Sequence, residues 1–151
     1  MRRVRYLHPV TLSVMTGVLL AGASAVALAR GAGQAVTTKS VWSGVYTTEQ
    51  ATAGEKIYFA QCASCHGDDL AGRERAPALA GPQFLDAWHG KHLRLMLERI
   101  QEMPPGTPVS AADGLSVLTF LLYSSEMPAG STPLPADRAR LAEITFERTK
   151  P

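Results

Sequence analysis

The five residues Cys62-Ala63-Ser64-Cys65-His66 carry the most specific chemistry in this sequence. They include both cysteines of the 151-residue chain, and the motif occurs once. On a helix-like turn, two thiols three positions apart reach one edge of a planar ligand, while the adjacent imidazole points at its centre. The spacing therefore predicts that Cys62 and Cys65 form thioethers to one haem and that His66 ligates its iron.

Three other interpretations of the motif compete with haem attachment: a disulfide redox pair, a zinc site and coincidence. A thioredoxin-type pair would follow a strand in a βαβ unit, whereas the pattern before Cys62 is helical and the chain has no convincing strand pattern. Zinc would need a fourth ligand, and His89 and His92 do not have the i, i+4 spacing of a helical ligand pair. Haem attachment is therefore the favoured interpretation.

Residues 1–29 are predicted to be a signal peptide. Arg2, Arg3 and Arg5 precede an uncharged, mostly apolar run that extends to Ala29, with small residues near its end that suit signal peptidase. Cleavage is favoured over an uncleaved anchor because glycine, serine and threonine dilute the run. The Arg2-Arg3 pair makes a poor twin-arginine signal. We therefore expect an exported, periplasmic protein, which contacts a membrane only if the leader stays uncleaved.

The charge balance argues against a nucleic-acid partner. The whole chain has 15 basic and 13 acidic residues, and four of the basic residues lie within residues 1–30 while none of the acidic ones does. The remainder holds 11 basic and 13 acidic residues, a net charge of −2. Binding to nucleic acid needs a dense basic face, which this sequence does not offer.

An irregular lead-in over residues 30–46 precedes the first predicted helix. That helix begins with Thr47 as its N-cap and Gln50 as capping-box partner, and it runs toward Phe59. Residues 67–84 contain glycine and proline too often for a regular element, and we expect an irregular loop there.

Two more helices are predicted after that loop. One spans about residues 91–101, where apolar residues recur at helical spacing, and it stops at Pro104-Pro105-Gly106. The other begins at Ser110 with Asp113 as the fourth residue of its cap. After Met127, only a short amphipathic turn or two is expected within residues 136–146.

The sequence resembles class I c-type cytochromes from about Thr47 to Tyr123. The matching motifs are Gly54-x-x-x-Tyr58-x-x-x-Cys62-x-x-Cys65-His66-Gly67, Pro77-x-Leu79-x-Gly81, Met103-Pro104-Pro105 and the aromatic Phe120 on the last helix. More narrowly, Trp42-x-Gly44-Val45-Tyr46 and Trp88-x-Gly90-Lys91 are similar to small cytochromes associated with quinoprotein dehydrogenases.

That resemblance implies an all-α, class I cytochrome c fold. Three main helices would wrap around one covalently bound haem c, with irregular extensions at both ends. The cytochrome domain would cover residues 47–127, followed by a C-terminal extension over 128–151. Gly54 and Phe120 would mark the crossing of the first and last helices. Gly114 departs from the pattern, because the narrower group often has an aromatic residue there.

Met103 is the best candidate for the second axial ligand. It lies between two predicted helices, and the prolines after it restrict the backbone that presents its sulfur. Met127 is the rival, since it also precedes a proline, whereas Met96 lies within a helix and is expected to fill the core. A bis-histidine site using His89 or His92 is the remaining alternative.

The resemblance also implies residues that surround the haem. Pro77 corresponds to the position whose carbonyl accepts the N–H of the proximal imidazole, and Leu79 lies in the same cofactor-binding segment. Trp88 and Trp42 are expected at a haem edge or a propionate, with ordinary core packing as the alternative.

An electron carrier is the leading functional interpretation. Histidine and methionine would fill both axial positions, which favours electron transfer over ligand chemistry. The protein would then not be an enzyme on its own, and its partners would be redox proteins such as a quinoprotein dehydrogenase or a terminal oxidase. The alternative is the electron-accepting cytochrome subunit of a pyrroloquinoline-quinone dehydrogenase complex. A haem catalyst or gas sensor would need an open distal position.

Overall fold

The computed structural model describes residues 38–74 and 76–151, so the predicted leader and the start of the lead-in lie outside the described residues. The described part contains six α-helices, one 3-10 turn and two short strands that pair with each other. In chain order they are β1 (Lys39–Ser40), a 3-10 turn (Val41–Ser43), α1 (Thr48–Gln61), α2 (Ala63–His66), α3 (Gly81–Trp88), α4 (Leu93–Gln101), α5 (Ala111–Ser124), α6 (Arg138–Ala142) and β2 (Ile144–Thr145). The all-α prediction is confirmed.

The three predicted helices are α1, α4 and α5, and the capping signals place two of their starts correctly. Thr47 accepts the backbone N–H of Gln50, whose side chain accepts the N–H of Thr47, which completes the capping box. Ser110 accepts the N–H of Asp113 at the start of α5. The start of α4 was predicted two residues early, because His92 is its N-cap.

The expectation of an irregular chain throughout 67–84 is wrong at its end, where α3 begins at Gly81. Pro82 sits in the first turn of α3, where no intrahelical partner exists for a backbone N–H and the fixed φ of proline suits a helix. The Gly-Pro pair therefore starts a helix here instead of preventing one. Phe84 on this helix is buried.

Helices α1 and α5 form the frame of the molecule by crossing closely at Gly54. A Cβ built on Gly54 would lie 1.8 Å from the carbonyl oxygen of Ser116 and 3.0 Å from Cβ of Phe120. Only glycine allows this approach, so the predicted crossing at Gly54 and Phe120 is confirmed. The buried face of α1 consists of Ala51, Gly54 and Tyr58.

The C-terminal segment contributes apolar side chains to the core. Leu134, Leu141, Ile144 and Phe146 are all buried within the main apolar cluster. β2 pairs in parallel with β1, a contact that the sequence pattern did not predict. The described residues, 38–74 and 76–151, belong to one compact unit.

Phe146 fixes this segment against the helices that precede it. Its backbone N–H donates to the carbonyl of Lys91 at 2.8 Å, and its carbonyl accepts from Gly90 at 2.9 Å. Its ring packs edge-on against Phe84, with 5.8 Å between the ring centroids. The end of the chain therefore supports α3 and the start of α4.

None of the described helices is long and apolar enough to cross a membrane.

Candidate haem site

The cysteine motif forms a compact helical turn directly after α1. The N–H of Cys62 donates to the carbonyl of Tyr58 at 2.8 Å, and the N–H groups of Cys65 and His66 both donate to the carbonyl of Cys62. Both thiols are free, with Cys62 half-buried and Cys65 exposed. Burial raises the pKa of the Cys62 thiol, and the nearby Cys65 raises it further.

The orientation of the His66 ring is set by a carbonyl of the following loop. Nδ1 of His66 lies 2.8 Å from the carbonyl oxygen of Pro77, so the ring nitrogen there carries the proton and donates. Nε2 is then the nitrogen available for a metal. The N–H of Gly72 also donates to the carbonyl of His66 at 2.9 Å, which holds the same loop against the turn.

Tyr58 anchors the end of this turn from α1. Its hydroxyl donates to the carbonyl of Gly67 at 2.6 Å, and burial raises the pKa of Tyr58 to about 12. Gly67 has φ +82°, and a Cβ there would lie 2.6 Å from a carboxylate oxygen of Asp69. Glycine is therefore required directly after the histidine.

A cavity of about 780 Å³ opens beside the cysteine motif. This volume falls within the roughly 300–1,000 Å³ of ligand pockets. The turn at α2 forms one side, and α3, α4, the loop after α4 and one face of α5 form the others. Its lining is mostly apolar, and it includes Cys62, Cys65, His66, Pro77, Leu79, Phe84, Trp88, Met96, Arg99, Ile100, Met103, Val117 and Leu121.

Met103 and the rival methionine lie in different places. Met103 lines the cavity from the loop between α4 and α5, where its N–H donates to Ile100 and its carbonyl accepts from Val109. Met127 is 2% exposed and is not among the lining residues, and its carbonyl accepts the hydroxyl of Tyr46 at 2.6 Å. Met96 is buried as predicted, and it also lines the cavity.

Neither candidate histidine of the bis-histidine alternative lines the cavity. Nδ1 of His89 accepts the backbone N–H of Arg148 at 3.3 Å, on the C-terminal segment. Nδ1 of His92 is buried without a hydrogen-bond partner in the described part of the chain. That part also contains no group of three or more His, Cys, Asp or Glu side chains that could hold a metal ion, as a zinc site would require.

The two tryptophans differ in position. Trp88 lines the cavity, and the ammonium group of Lys91 lies 5.2 Å from the centre of its ring. Trp42 is not among the lining residues, and its indole N–H donates to the carbonyl of Glu147 at 3.0 Å. Trp42 is thus a packing residue that holds the lead-in against the C-terminal segment.

Sequence reasoning missed several residues of the cavity, chiefly Phe84 on α3 and Arg99 and Ile100 on α4. A signal for the α4 residues was present, because Met96, Arg99 and Met103 follow one another at steps of three and four, the spacing of one helical face. No such spacing marks Phe84, because the glycine and proline residues of its segment predict a loop there.

The residues around this cavity fit haem c. Two thiols and an imidazole lie on one turn, the imidazole is oriented by a carbonyl, and an apolar cavity adjoins all three. Cys62, Cys65 and His66 are the residues that would hold haem there, and the haem would supply a redox-active iron.

Comparison with known proteins agrees with this chemistry. Residues 49–121 match the family described as "Cytochrome C oxidase, cbb3-type, subunit III". A solved structure with some likeness is the sulfane dehydrogenase SoxCD from Paracoccus pantotrophus, at 20% identity and a TM-score of 0.45, over 70% of this chain and 61% of that chain. This chain therefore spans less than two thirds of that chain. No curated protein matches. Residues 49–121 thus match a cytochrome c family, which implies covalently bound haem c, and the fold and the motif agree with a class I c-type cytochrome.

Proposed function

We propose that this protein carries single electrons between redox proteins, with its iron ligated by His66 and Met103. The observation that carries the proposal is that one cavity is lined by His66 from the turn at α2 and by Met103 from the loop after α4. When bound, haem c supplies a one-electron Fe(III)/Fe(II) couple.

The chain's own residues favour a simple carrier in three ways. The carbonyl of Pro77 fixes the plane of the His66 ring and increases its basicity. Met103 lines the same cavity, and as the second ligand of the iron it would leave no position for oxygen or a substrate. The apolar lining, for example Phe84 and Leu121, excludes water and so favours the less charged ferrous state.

A spectroscopic and mass measurement tests this proposal on the full chain, expressed with haem-maturation machinery. We expect a mass increase of one haem that acid-acetone does not extract, a methionine–iron charge-transfer band in the ferric protein, and a one-electron Nernst curve. Extractable haem, or none, would contradict the attachment. Rapid carbon monoxide binding by the ferrous protein would contradict closed axial positions and favour a catalyst or sensor.

Export to the periplasm is part of the proposal. It rests on the charged and apolar pattern of residues 1–29 and on haem attachment by reduced thiols outside the cytoplasm. Fractionation of cells that make the full chain, with mass analysis of the N-terminus, tests both the location and the cleavage of the leader. Haem-loaded protein in the cytoplasm would contradict it.

The partner class follows from two sources. The motifs Trp42-x-Gly44-Val45-Tyr46 and Trp88-x-Gly90-Lys91 resemble cytochromes of quinoprotein dehydrogenases, and the matching family is named for an oxidase subunit. We propose a quinoprotein dehydrogenase as donor and a terminal oxidase as acceptor.

The second candidate is a permanent subunit of such a dehydrogenase. The resemblance of Trp88-x-Gly90-Lys91 favours it, because Trp88 lines the cavity and Lys91 lies over the Trp88 ring. Purification of an affinity-tagged chain from its own cells separates the two functions. A shuttle would emerge alone and be reduced in a bimolecular reaction, whereas a subunit would emerge in fixed ratio with a large catalytic chain.

A further inference from the structure

The end of the chain is held by the segment that joins α3 to α4. The N–H of Phe146 donates to the carbonyl of Lys91 at 2.8 Å, and the N–H of Gly90 donates to the carbonyl of Phe146 at 2.9 Å. His92 and Thr145 form a further antiparallel bridge. These contacts make a short antiparallel ladder, which we call the C-terminal ladder.

A histidine lies at each end of the C-terminal ladder. Nδ1 of His89 accepts the backbone N–H of Arg148 at 3.3 Å, so this nitrogen carries no proton. Nδ1 of His92 is buried without a hydrogen-bond partner among the described residues. Both nitrogens of a protonated imidazole are donors. A proton on His89 would therefore set two N–H groups against each other, and a proton on His92 would leave a buried charged donor without an acceptor.

The carboxylate nearest to this arrangement is that of Asp86 on α3, and it already has a partner on the C-terminal segment. Its Oδ1 accepts from the guanidinium of Arg148 at 2.6 Å. The other charged residues on the elements that pack against the ladder are Lys39, Lys91, Arg94, Arg140, Glu143 and Glu147. Carboxylates titrate mostly below about pH 5, and lysine and arginine above about pH 10. Between these limits, histidine is the residue type of this group that changes its charge.

We propose that His89 and His92 make the C-terminal ladder an acid-sensitive clasp, which is closed while both imidazoles are neutral and opens as they take up protons. The open state binds more protons than the closed state, because only there can both nitrogens of each ring donate to water. The stability of the clasp is therefore complete above the range in which histidine titrates and is lost as pH falls through it.

Opening of the clasp would reach the haem cavity through Phe146. The ring of Phe146 packs edge-on against Phe84, with 5.8 Å between the ring centroids, and Phe84 lines the cavity from α3. The N–H of His89 also donates to the carbonyl of Leu85 at the end of α3. Release of Phe146 thus removes a support of the α3 wall. The clasp would couple the acidity of the surroundings to the access of water to the haem.

Hydrogen–deuterium exchange of the haem-loaded full chain tests the proposal. Mass spectrometry would follow the peptide 143–151, which contains the N–H groups of Phe146 and Arg148, and the peptide of α3, between about pH 5 and 8. After correction for the intrinsic pH dependence of exchange, protection of both peptides should fall with pH. We expect about a fivefold loss for each histidine that is protonated, the equivalent of one hydrogen bond.

Three variants assign the effect. The double variant His89→Asn/His92→Asn keeps an amide oxygen as acceptor but does not titrate, so its protection should not depend on pH. His89→Lys carries a positive charge throughout the range and should be less protected than wild type at neutral pH. The matched control is Asp86→Asn, which breaks the ion pair with Arg148 and leaves both histidines. It should lower protection by the same factor at every pH.

Two results would overturn the proposal. One is a corrected wild-type profile that does not change with pH. The other is a pH dependence that the double variant retains, or that Asp86→Asn alone removes, since the ion pair would then be its source. If the double variant does not load haem, a His89→Lys protein as protected as wild type at neutral pH would overturn the proposal equally. None of these readouts depends on which methionine ligates the iron.

Discussion

The two walls of the cavity that carry the axial residues are held in different ways. The proximal wall, residues 62–79, is tied to itself and to α1 by hydrogen bonds that include side chains, from Tyr58 to Gly67 and between His66 and Pro77. The distal wall, residues 102–109, has short-range backbone bonds, such as those from Met103 to Ile100 and from Val109 to Met103, and one exposed side-chain pair between Arg99 and Glu102.

The difference shows where the geometry of each wall comes from. The contacts of the proximal wall join residues fewer than a dozen positions apart, so the local sequence largely determines its shape. The distal wall takes its place from α4 and α5 at its two ends, and α5 in turn from the Gly54 crossing. A substitution that separates α1 and α5 should therefore displace Met103 more than His66.

The largest effect is expected from the double substitution Cys62→Ala/Cys65→Ala, which removes the covalent link of the haem to the proximal wall. A domain of this size has a small core, and an apolar cavity of about 780 Å³ adjoins the cysteine motif. We expect the apo-protein to be largely unfolded, because binding of haem to the folded state contributes much of its stability. Far-ultraviolet circular dichroism measures this, and a native-like spectrum would contradict it.

Met103→Ala removes the axial residue of the distal wall and is expected to have the next largest effect. The methionine–iron band should disappear and the iron should bind added imidazole or carbon monoxide. The potential should fall by on the order of 0.1–0.3 V, a part of the roughly 0.8 V over which axial ligands tune haem.

Met127→Ala is the matched control, because Met127 is buried away from the cavity. The substitution should lower the free energy of unfolding, because it truncates a buried side chain. It should leave the methionine–iron band and the reduction potential nearly unchanged. The reverse pattern would exclude Met103 as the ligand. An unchanged spectrum in both variants would turn attention to His89, His92 and Met96.

The sequence predicted the proximal wall and the frame well because their signals are local. The caps at Thr47 and Ser110 depend only on residues three positions further along the chain. The glycine at position 54 depends on a single helix crossing. The sequence predicts a loop in place of α3 because glycine and proline interrupt the interior of a helix. Gly81 and Pro82 instead lie in the first turn of α3, where proline is favoured.

The C-terminal segment could not be predicted for a different reason. Leu141, Ile144 and Phe146 are too few and too close together to indicate what they pack against. Their partners lie far away in sequence, as in the pairing of Lys39 with Ile144 and the contact of Phe146 with Phe84. Trp42 could not be placed from the sequence for the same reason. Its indole N–H donates to the carbonyl of Glu147, 105 positions further along the chain, and this hydrogen bond holds the ring away from the haem cavity.

Gly54→Ala tests the dependence of the distal wall on the frame. The added methyl would lie 1.8 Å from the carbonyl oxygen of Ser116, so α1 and α5 must separate. Overpacking of this kind costs roughly 1–3 kcal/mol, against a gain of about 1 kcal/mol in helix propensity. We expect a lower urea midpoint for the haem-loaded protein and a weakened methionine–iron band, while the haem stays covalently attached.

Gly114→Ala is the control for this change, because it makes the same substitution within α5. A Cβ there would meet only flexible side chains, the nearest being Cγ of Gln101 at 3.3 Å and Cδ1 of Leu97 at 3.4 Å. Its stability should stay within about 1 kcal/mol of wild type or increase. Equal effects of the two substitutions would refute the claim that the close crossing at Gly54 determines where the distal wall lies.

The smallest effect on the haem spectrum is expected from Tyr58→Phe, which removes one hydrogen bond of the proximal wall. The carbonyl of Gly67 loses its side-chain donor, at a cost of about 1–2 kcal/mol at neutral pH. The pKa of Tyr58 rises from 10.0 to about 12 on folding because the ring is buried. Its contribution to stability is thus complete below pH 10 and is lost as pH rises toward 12, where the unfolded chain has released a proton that the folded protein retains.

The wild-type protein should therefore lose stability more steeply than Tyr58→Phe across that range, and the gap between their unfolding free energies should narrow. Tyr46, whose pKa also rises to about 12, contributes equally in both proteins and cancels. Urea unfolding of the two proteins at a series of alkaline pH values measures the gap. A gap that stays constant up to pH 12 would mean that Tyr58 is not buried in the folded protein, and the proximal wall would then lack the anchor that distinguishes it from the distal one.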